Sequence, residues 1–167
     1  PEIMIPLVGT VKELSMLRQF AEETIEKVKA SKGVDHLDLL IGTMIEIPRA
    51  CLTANEVAEY ADFFSFGTND LTQLTYGLSR DDMGKFFPDY QRAGVMPESP
   101  LAVFDIEGVG QLVAMGTSGG RSTHPKLKVG ICGEHGGDPK GVGFFHRTKE
   151  FLMRKPQAIT VPRKSTG

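Results

Sequence analysis

Short apolar runs alternate along the chain with stretches of helical periodicity. The first run, EIMIPLVG, occupies 2–9 and has the length of a buried strand. It is followed over 10–33 by a segment whose apolar residues are spaced as on one side of a helix, among them Leu14, Leu17 and Phe20. The pattern therefore predicts a strand followed by an amphipathic helix.

The same order of strand and helix recurs in the middle of the chain. Residues 37–48 are almost continuously apolar until Glu46, and in the following TANEVAEY segment Thr53 and Glu56 have the spacing of a capping box. Residues 61–78 begin as another apolar run, break into the polar letters GTND, and continue with helical periodicity. We therefore predict a second and a third strand, each followed by a helix.

The remaining part of the chain is more mixed. Residues 80–100 are rich in Asp, Gly and Pro and predict a long loop or lid. Asp105 is a candidate cap for a helix over 106–120, although several glycines weaken that prediction. A fourth apolar run, LKVGIC, leads to Asp138 and Pro139, which are typical of an N-cap and a first helical position.

Strands that are apolar on both faces and alternate with helices indicate an α/β fold with a parallel sheet covered on each side. A complete eight-stranded barrel of this kind usually needs about 250 residues. The chain has 167 residues, so its strands would form roughly half of such a barrel. We therefore expect an incomplete barrel with an open sheet edge.

Composition narrows the class of protein only slightly. The 19 Lys and Arg residues nearly balance the 21 Asp and Glu residues, so bulk charge indicates neither a nucleic acid nor a membrane as partner. The two cysteines form no CxxC pair, which favours a reducing, intracellular compartment. No apolar run is long enough to span a membrane, and an initial Pro suggests an excised fragment.

Polar residues follow three of the predicted strands, where function is usually located in parallel sheets. Glu46 and Asp70 end successive strands, so their carboxylates could converge on Mg²⁺, which prefers oxygen ligands. The alternative for Glu46 is a buried acid paired with an unidentified Lys or Arg. The GTND segment at 67–70 could bind a phosphate through its backbone N–H groups, or could be an ordinary turn and cap.

Cys132 also follows a predicted strand, just before a glycine-rich segment. A lone cysteine in this position is often a small buried hydrophobe, whereas a thiol near a cation or a helix N-terminus can transfer protons. Cys51 lacks the glycine-rich setting and is expected to pack. The four histidines show no zinc-binding spacing, although His135 could orient a neighbour.

Three segments, IGTMIEIPRA, FFSFGTNDLTQLTYGLSRDDMGKF and LKVGICGEHGGDP, resemble the C-terminal phosphoenolpyruvate (PEP) and pyruvate-binding domain of PEP-utilising enzymes. The continuations SRDDMGKF and EHGGDP are most similar to the pyruvate, phosphate dikinase family. The resemblance covers 1–147 and implies the C-terminal part of a TIM (β/α)8 barrel. Residues 148–167 depart from the family pattern and form a basic tail.

The resemblance also implies roles for individual residues. Mg²⁺ would be held by Glu46 and Asp70, and Cys132 would be the catalytic proton donor. Residues implied to contact the substrate are Glu46, Gly67, Thr68, Asn69 and Asp70. The implied reaction is phosphoryl transfer from ATP to pyruvate and phosphate, giving AMP, PEP and diphosphate, through an enolate that the metal stabilises.

Such enzymes also contain a phosphohistidine domain and an ATP-binding domain, and they commonly form homodimers. This chain lacks both domains and the earlier half of the barrel, so we expect it to be inactive in isolation. A PEP synthase, a protein of the phosphotransferase-system enzyme I type and a non-catalytic remnant remain alternatives. The family favours the cytoplasm, with a plastid or a microbody-like organelle as other compartments.

Overall fold

The computed structural model describes residues 1–152, except for the side chains at 140 and 147–152. Its framework is a sheet of four parallel strands in sequence order. These strands are β1 (Glu2–Ile5), β2 (Leu40–Ile45), β3 (Phe63–Gly67) and β4 (Lys128–Cys132). The predicted α/β fold with a parallel sheet is confirmed, although the strands are shorter than the apolar runs that predicted them.

Helices connect the strands and pack against the sheet. They are α1 (Val11–Lys32), α2 (Pro48–Leu52), α3 (Ala54–Val57), α4 (Thr68–Tyr76), α5 (Arg80–Arg92), α6 (Val109–Thr123) and α7 (Pro139–Leu152). Short 3-10 turns occupy Ala58–Tyr60 and Glu134–Gly137. The predicted tail at 148–167 lies largely outside the described residues.

Helix capping differs from the prediction at one point and agrees at another. The capping box predicted at Thr53 and Glu56 does not form, because the Thr53 hydroxyl donates instead to the Arg49 carbonyl oxygen at 3.1 Å. A complete capping box begins α1 instead: the Glu13 N–H donates to Thr10 Oγ1, and the Thr10 N–H donates to Glu13 Oε2. Pro139 is the first residue of α7, as predicted.

The prediction of a long loop over 80–100 was wrong for most of that segment, which forms α5. The Ser79 hydroxyl accepts a hydrogen bond from the Asp81 N–H and begins the helix. Lys85 pairs with Asp82 at 2.6 Å, one turn along the helix. Helix α5 forms although Gly84 and Pro88 lie within it, and Met83 is its buried residue.

Helix α6 covers the sheet at unusually close range. A Cβ atom at Gly120 would lie 2.5 Å from Phe64 Cε2, and one at Gly116 would lie 3.0 Å from Phe66 Cζ. Both phenylalanines are fully buried in the main core between sheet and helices. The glycines that weakened the prediction of α6 therefore allow the helix to approach the strands. Helix α6 begins at Val109 rather than at residue 106, with Gly108 at the N-cap position, so Asp105 is not its N-cap. Asp105 instead accepts hydrogen bonds from the N–H groups of Gly108 and Val109 across the turn that precedes the helix.

An ion pair links α1 to the amino-terminal ends of β2 and β3. Arg18 of α1 contacts Asp62 at 3.1 Å and also donates to the Ile41 and Tyr60 carbonyl oxygens. Asp62 in turn accepts a hydrogen bond from the Ile41 N–H at 2.8 Å. Helix α1 and the starts of β2 and β3 are thus joined at one point.

Apolar side chains are exposed on α1 and in a groove beside β4. On α1, Leu14 is buried, but Leu17 and Phe20 are 45% and 69% exposed. Along β4 a groove of about 350 Å³ opens between α6 and α7, lined in part by Ile131 and Phe145. The stripe predicted on α1 therefore packs against the sheet at only some of its positions.

Candidate active site at the carboxyl edge of the sheet

The structure brings the predicted site residues to one edge of the sheet. Glu46 follows the last residue of β2, Gly67 ends β3, and Cys132 ends β4. Strand register places Gly67 opposite Cys132 and Ile45 opposite Phe66. Three neighbouring strands therefore end in a row with a carboxylate, a glycine and a thiol.

Glu46 is nearly completely buried, with 2% of its surface exposed. Its Oε1 atom accepts a hydrogen bond from the Leu7 N–H at 2.7 Å, and its carboxyl group also bonds to the side chain of Asp70. Burial raises the pKa of Glu46, and the adjacent Asp70 raises it further, whereas the Leu7 N–H opposes both effects. The two predicted metal ligands therefore meet.

This pair differs from the alternative considered for Glu46, a salt bridge to Lys or Arg. Among the described side chains, the ionisable group next to the Glu46 carboxyl group is an acid, Asp70. Two adjacent carboxylates are stabilised by a shared proton or a bound cation. No cluster of three His, Cys, Asp or Glu side chains suited to a metal occurs in the described part of the chain. A cation held here would need substrate or water oxygens to complete its shell.

Leu7 holds the Glu46 carboxylate from a backbone conformation that few leucines adopt. Its φ of +53° lies in the left-handed region, which costs a residue with a Cβ about 1–2 kcal/mol. This conformation accompanies the N–H contact with Glu46, a contact that is distant in sequence. No feature of the PLVG segment indicated this role for Leu7.

Gly67 is required by the close approach of its neighbours. A Cβ atom at this position would lie 2.5 Å from Glu46 Oε2 and 2.7 Å from Met44 Sδ. Contacts this short force neighbouring atoms to move. Gly67 therefore lets the Glu46 carboxylate pass over the end of β3.

Helix α4 begins immediately after Gly67, and the helix N-terminus has no side-chain cap. Its first backbone N–H groups have no partner within the helix and carry partial positive charge. Asn69 Oδ1 is buried without a hydrogen-bond partner among the described residues. These free donors and the buried amide lie beside the carboxylate pair, since Asp70 is in the first turn of α4.

Thr68, the first residue of α4, is completely buried, and its hydroxyl is engaged within the protein. Its Oγ1 atom lies 2.9 Å from His135 Nδ1 and 3.3 Å from the Cys132 carbonyl oxygen. The loop after β4 passes directly over it: Gly133 has a φ of +104°, and a Cβ there would lie 3.0 Å from Thr68 Oγ1. The α4 N-terminus and the cysteine loop are therefore in contact.

Cys132 and Cys51 occupy different environments. The Cys132 thiol is half-buried and lies 3.5 Å from the Phe66 carbonyl oxygen and 4.0 Å from Met44 Sδ. Cys51 is fully buried in the core, and burial raises the pKa of its thiol to about 12. The prediction that Cys51 packs is thus confirmed, and Cys132 is the thiol positioned beside the carboxylates.

Two further contacts tie the cysteine loop to distant segments. Arg80, at the start of α5, pairs with Glu134 at 3.2 Å. His135 is fully buried, and its Nε2 lies 3.0 Å from the Pro100 carbonyl oxygen. The sequence pointed to His135 as a residue that orients a neighbour, but gave no signal for Pro100 or Leu7.

Acids, a glycine turn and a thiol thus lie along the carboxyl edge of a parallel α/β sheet, the edge at which such folds usually bind their ligands. The chain belongs to the family of PEP-utilising enzymes, whose PEP-binding domain matches residues 1–164. Over 164 residues it is 58% identical to pyruvate, phosphate dikinase of Clostridium symbiosum, 57% identical to the chloroplastic dikinase 1 of Arabidopsis thaliana and 55% identical to dikinase 2 of Zea mays.

These alignments include 98% of this chain but only 17–19% of each relative. The chain thus spans less than one fifth of the length of these dikinases. Among the described helices, none combines the length and the apolar composition that crossing a membrane requires.

Proposed function

We propose that this chain is the PEP- and pyruvate-binding part of a pyruvate, phosphate dikinase and the C-terminal part of a TIM barrel. The observation that carries the proposal is the buried Glu46 carboxyl group beside the exposed Asp70 side chain, at the same sheet edge as the Cys132 thiol. The names of the relatives favour a dikinase over a PEP synthase or an enzyme I-type protein.

The donor set suits Mg²⁺. Two carboxylates and a substrate with carboxylate and carbonyl oxygens offer only hard oxygen ligands. Glu46 and Asp70 would hold the ion, and when bound it would polarise the pyruvate carbonyl and stabilise the enolate. Such a charge would also favour ionisation of Glu46, whose pKa is raised in the metal-free protein.

The chain's own groups would bind and orient the substrate. The free N–H groups at the start of α4 would donate to the anionic oxygens of PEP. The Thr68 hydroxyl already lies within hydrogen-bond distance of His135 Nδ1 and of the Cys132 carbonyl oxygen. Thr68 would therefore contact the substrate through its backbone. The amide of Asn69 would supply a further polar contact, because its Oδ1 atom has no partner among the described residues.

Cys132 would hold the proton by which pyruvate differs from its enolate. In the direction of pyruvate formation, the Sγ–H bond would break and a C–H bond would form at the methylene carbon of the enolate. In the opposite direction the thiolate would take a methyl proton from pyruvate. A thiol suits both steps because its ordinary pKa, about 8.5, lies near neutral pH.

The complete reaction would need the phosphohistidine and ATP-binding domains of the same enzyme as partners. The uncovered apolar residues of α1 and the groove along β4 support a barrel that other segments complete. The full-length enzyme would also form the homodimer that the family resemblance implies.

The metal site can be tested with the chain alone. Paramagnetic Mn²⁺ should broaden the amide NMR signals of 67–70, and Mg²⁺ should compete with it. Glu46→Gln and Asp70→Asn should each weaken binding by about tenfold or more. The matched control is Asp35→Asn, because Asp35 is exposed and distant in sequence from the site. Equal broadening in all three variants would contradict the proposed ligands.

Substrate binding is tested next, by calorimetric titration of PEP with Mg²⁺ and with a chelator. Binding should require the metal and should be lost in Glu46→Gln. The same heat of binding in the presence of the chelator would contradict a site in which PEP completes the coordination shell.

A further inference from the structure

His135 joins three segments that are far apart in sequence. It lies in the turn after β4, three positions beyond Cys132, and is completely buried. Its Nδ1 atom lies 2.9 Å from Thr68 Oγ1 at the start of α4, and its Nε2 atom lies 3.0 Å from the Pro100 carbonyl oxygen. Phe104 packs edge-on against the ring at a centroid distance of 5.5 Å.

The partners of the imidazole fix its tautomer. A carbonyl oxygen can only accept, so the contact with Pro100 requires a proton on Nε2. In the neutral ring Nδ1 is then an acceptor, and the Thr68 hydroxyl must donate to it. That hydroxyl has one proton, and the shorter of its two contacts is the one to His135.

Thr68 is the point at which this arrangement reaches the candidate site. It begins α4, two residues before Asp70, and its side chain lies against the backbone of Gly133. The Thr68 hydroxyl also lies 3.3 Å from the Cys132 carbonyl oxygen, and a Cβ at Gly133 would crowd it at 3.0 Å. Thr68 thus lies between the His135 ring and the backbone of the loop that carries Cys132.

We propose that His135 is a positioning residue, which fixes Thr68 and through it the placement of the Cys132 thiol. The tautomer and the coupling between the two residues stand on the geometry alone. Their consequence for proton transfer rests on the proposed function of Cys132. The segment around Pro100 takes part as the acceptor that sets the tautomer.

The tautomer is tested in the unmodified chain by ¹⁵N NMR of the histidine rings. Nε2 of His135 should carry the proton and Nδ1 should have the shift of an unprotonated, hydrogen-bonded nitrogen. A proton on Nδ1 would overturn the proposal. This measurement needs neither a variant nor a ligand.

The coupling is tested by the rate at which iodoacetamide alkylates Cys132, with buried Cys51 as an internal check on folding. His135→Phe keeps a ring but removes both hydrogen bonds, and Thr68→Val removes the hydroxyl at similar volume. Each should change the rate about fivefold or more, and the double variant should change it no further than the larger single effect. The control is His36→Phe, since His36 is exposed.

Multiplied effects in the double variant would show that the residues act independently and would overturn the proposal, as would an unchanged rate in Thr68→Val. If His135→Phe fails to fold, the Thr68→Val rate and the wild-type NMR spectrum still decide. None of these measurements uses Mg²⁺ or PEP. If His135 and Thr68 proved coupled but the chain did not bind PEP, the missing PEP binding would contradict the proposed function. The positioning role of His135 would still stand.

Discussion

Replacing Gly67 by alanine tests whether the end of β3 is shaped around the Glu46 carboxylate. The added methyl group would lie 2.5 Å from Glu46 Oε2, 2.7 Å from Met44 Sδ and 2.9 Å from Glu46 Cβ. All three atoms belong to residues of, or directly after, the adjacent strand β2. The carboxylate cannot retreat freely, because the Leu7 N–H and Asp70 both bond to it.

Overpacking of this kind costs about 1–3 kcal/mol. For a chain of this size, each 1 kcal/mol lowers Tm by about 2–4 °C, so Gly67→Ala should lower it by about 2–12 °C. The substitution should also weaken Mn²⁺ binding, since Glu46 is pushed away from Asp70. Tm is measured by calorimetry, and metal binding by the broadening of amide signals.

Gly84→Ala is the matched control. Gly84 lies within α5, and a Cβ there would meet no heavy atom within 4 Å. Alanine has the higher helix propensity, so this variant should gain about 0.5–1 kcal/mol of stability. If Gly67→Ala were as stable as the wild type and bound metal equally well, the crowding at the end of β3 would have no energetic consequence and our reasoning would fail.

Three further predictions concern charge and chemistry. The pKa of Glu46 is raised above its ordinary 4.5 in the folded state, so the metal-free chain should lose stability as pH rises from 4.5 through the folded-state pKa. Urea titrations at several pH values measure this loss, and Glu46→Gln should reduce it. An unchanged dependence of the unfolding free energy on pH in Glu46→Gln would contradict the prediction. The isolated chain should form no PEP from ATP, pyruvate and phosphate, and PEP production by the pure chain would refute this. In a chimera carrying this chain in place of the matching segment of the Clostridium symbiosum dikinase, Cys132→Ala should abolish exchange of pyruvate methyl protons while phosphohistidine still forms from ATP; loss of both would indicate a structural cysteine.

The strands were predictable because each lies within a short run of mostly apolar residues. Strands β2 and β3 are largely buried, whereas most of β1 is exposed and β4 is half-buried. Their parallel direction followed from the helices between them. The sequence did not predict α5, because Pro88 and the nearby glycines are typical of loops. Its N-terminal cap and its Asp82–Lys85 ion pair give only weak signals in the sequence. Likewise, the uncovered side of α1 could not be foreseen, since periodicity shows that a helix has an apolar face but not what lies against it.

The candidate site, like the fold, was predictable only in part. Residues that end strands could be grouped in advance, because parallel strands end at a common edge. The contacts that hold them in place could not, since they come from backbone atoms: the Leu7 N–H on Glu46 and the Pro100 carbonyl on His135. Backbone groups are present at every position, so no residue type marks them.

The two edges of the sheet carry different arrangements of charge. At the amino edge, the Arg18 guanidinium and the Asp62 carboxylate neutralise each other and join α1 to the sheet. At the opposite edge two acids face each other without a basic partner among the described residues. The two ends of the same strands thus differ in charge, with a neutralised ion pair at one end and two adjacent acids at the other. Under the proposed function, substitutions in the carboxyl-edge loops would therefore change substrate binding without touching the Arg18–Asp62 pair.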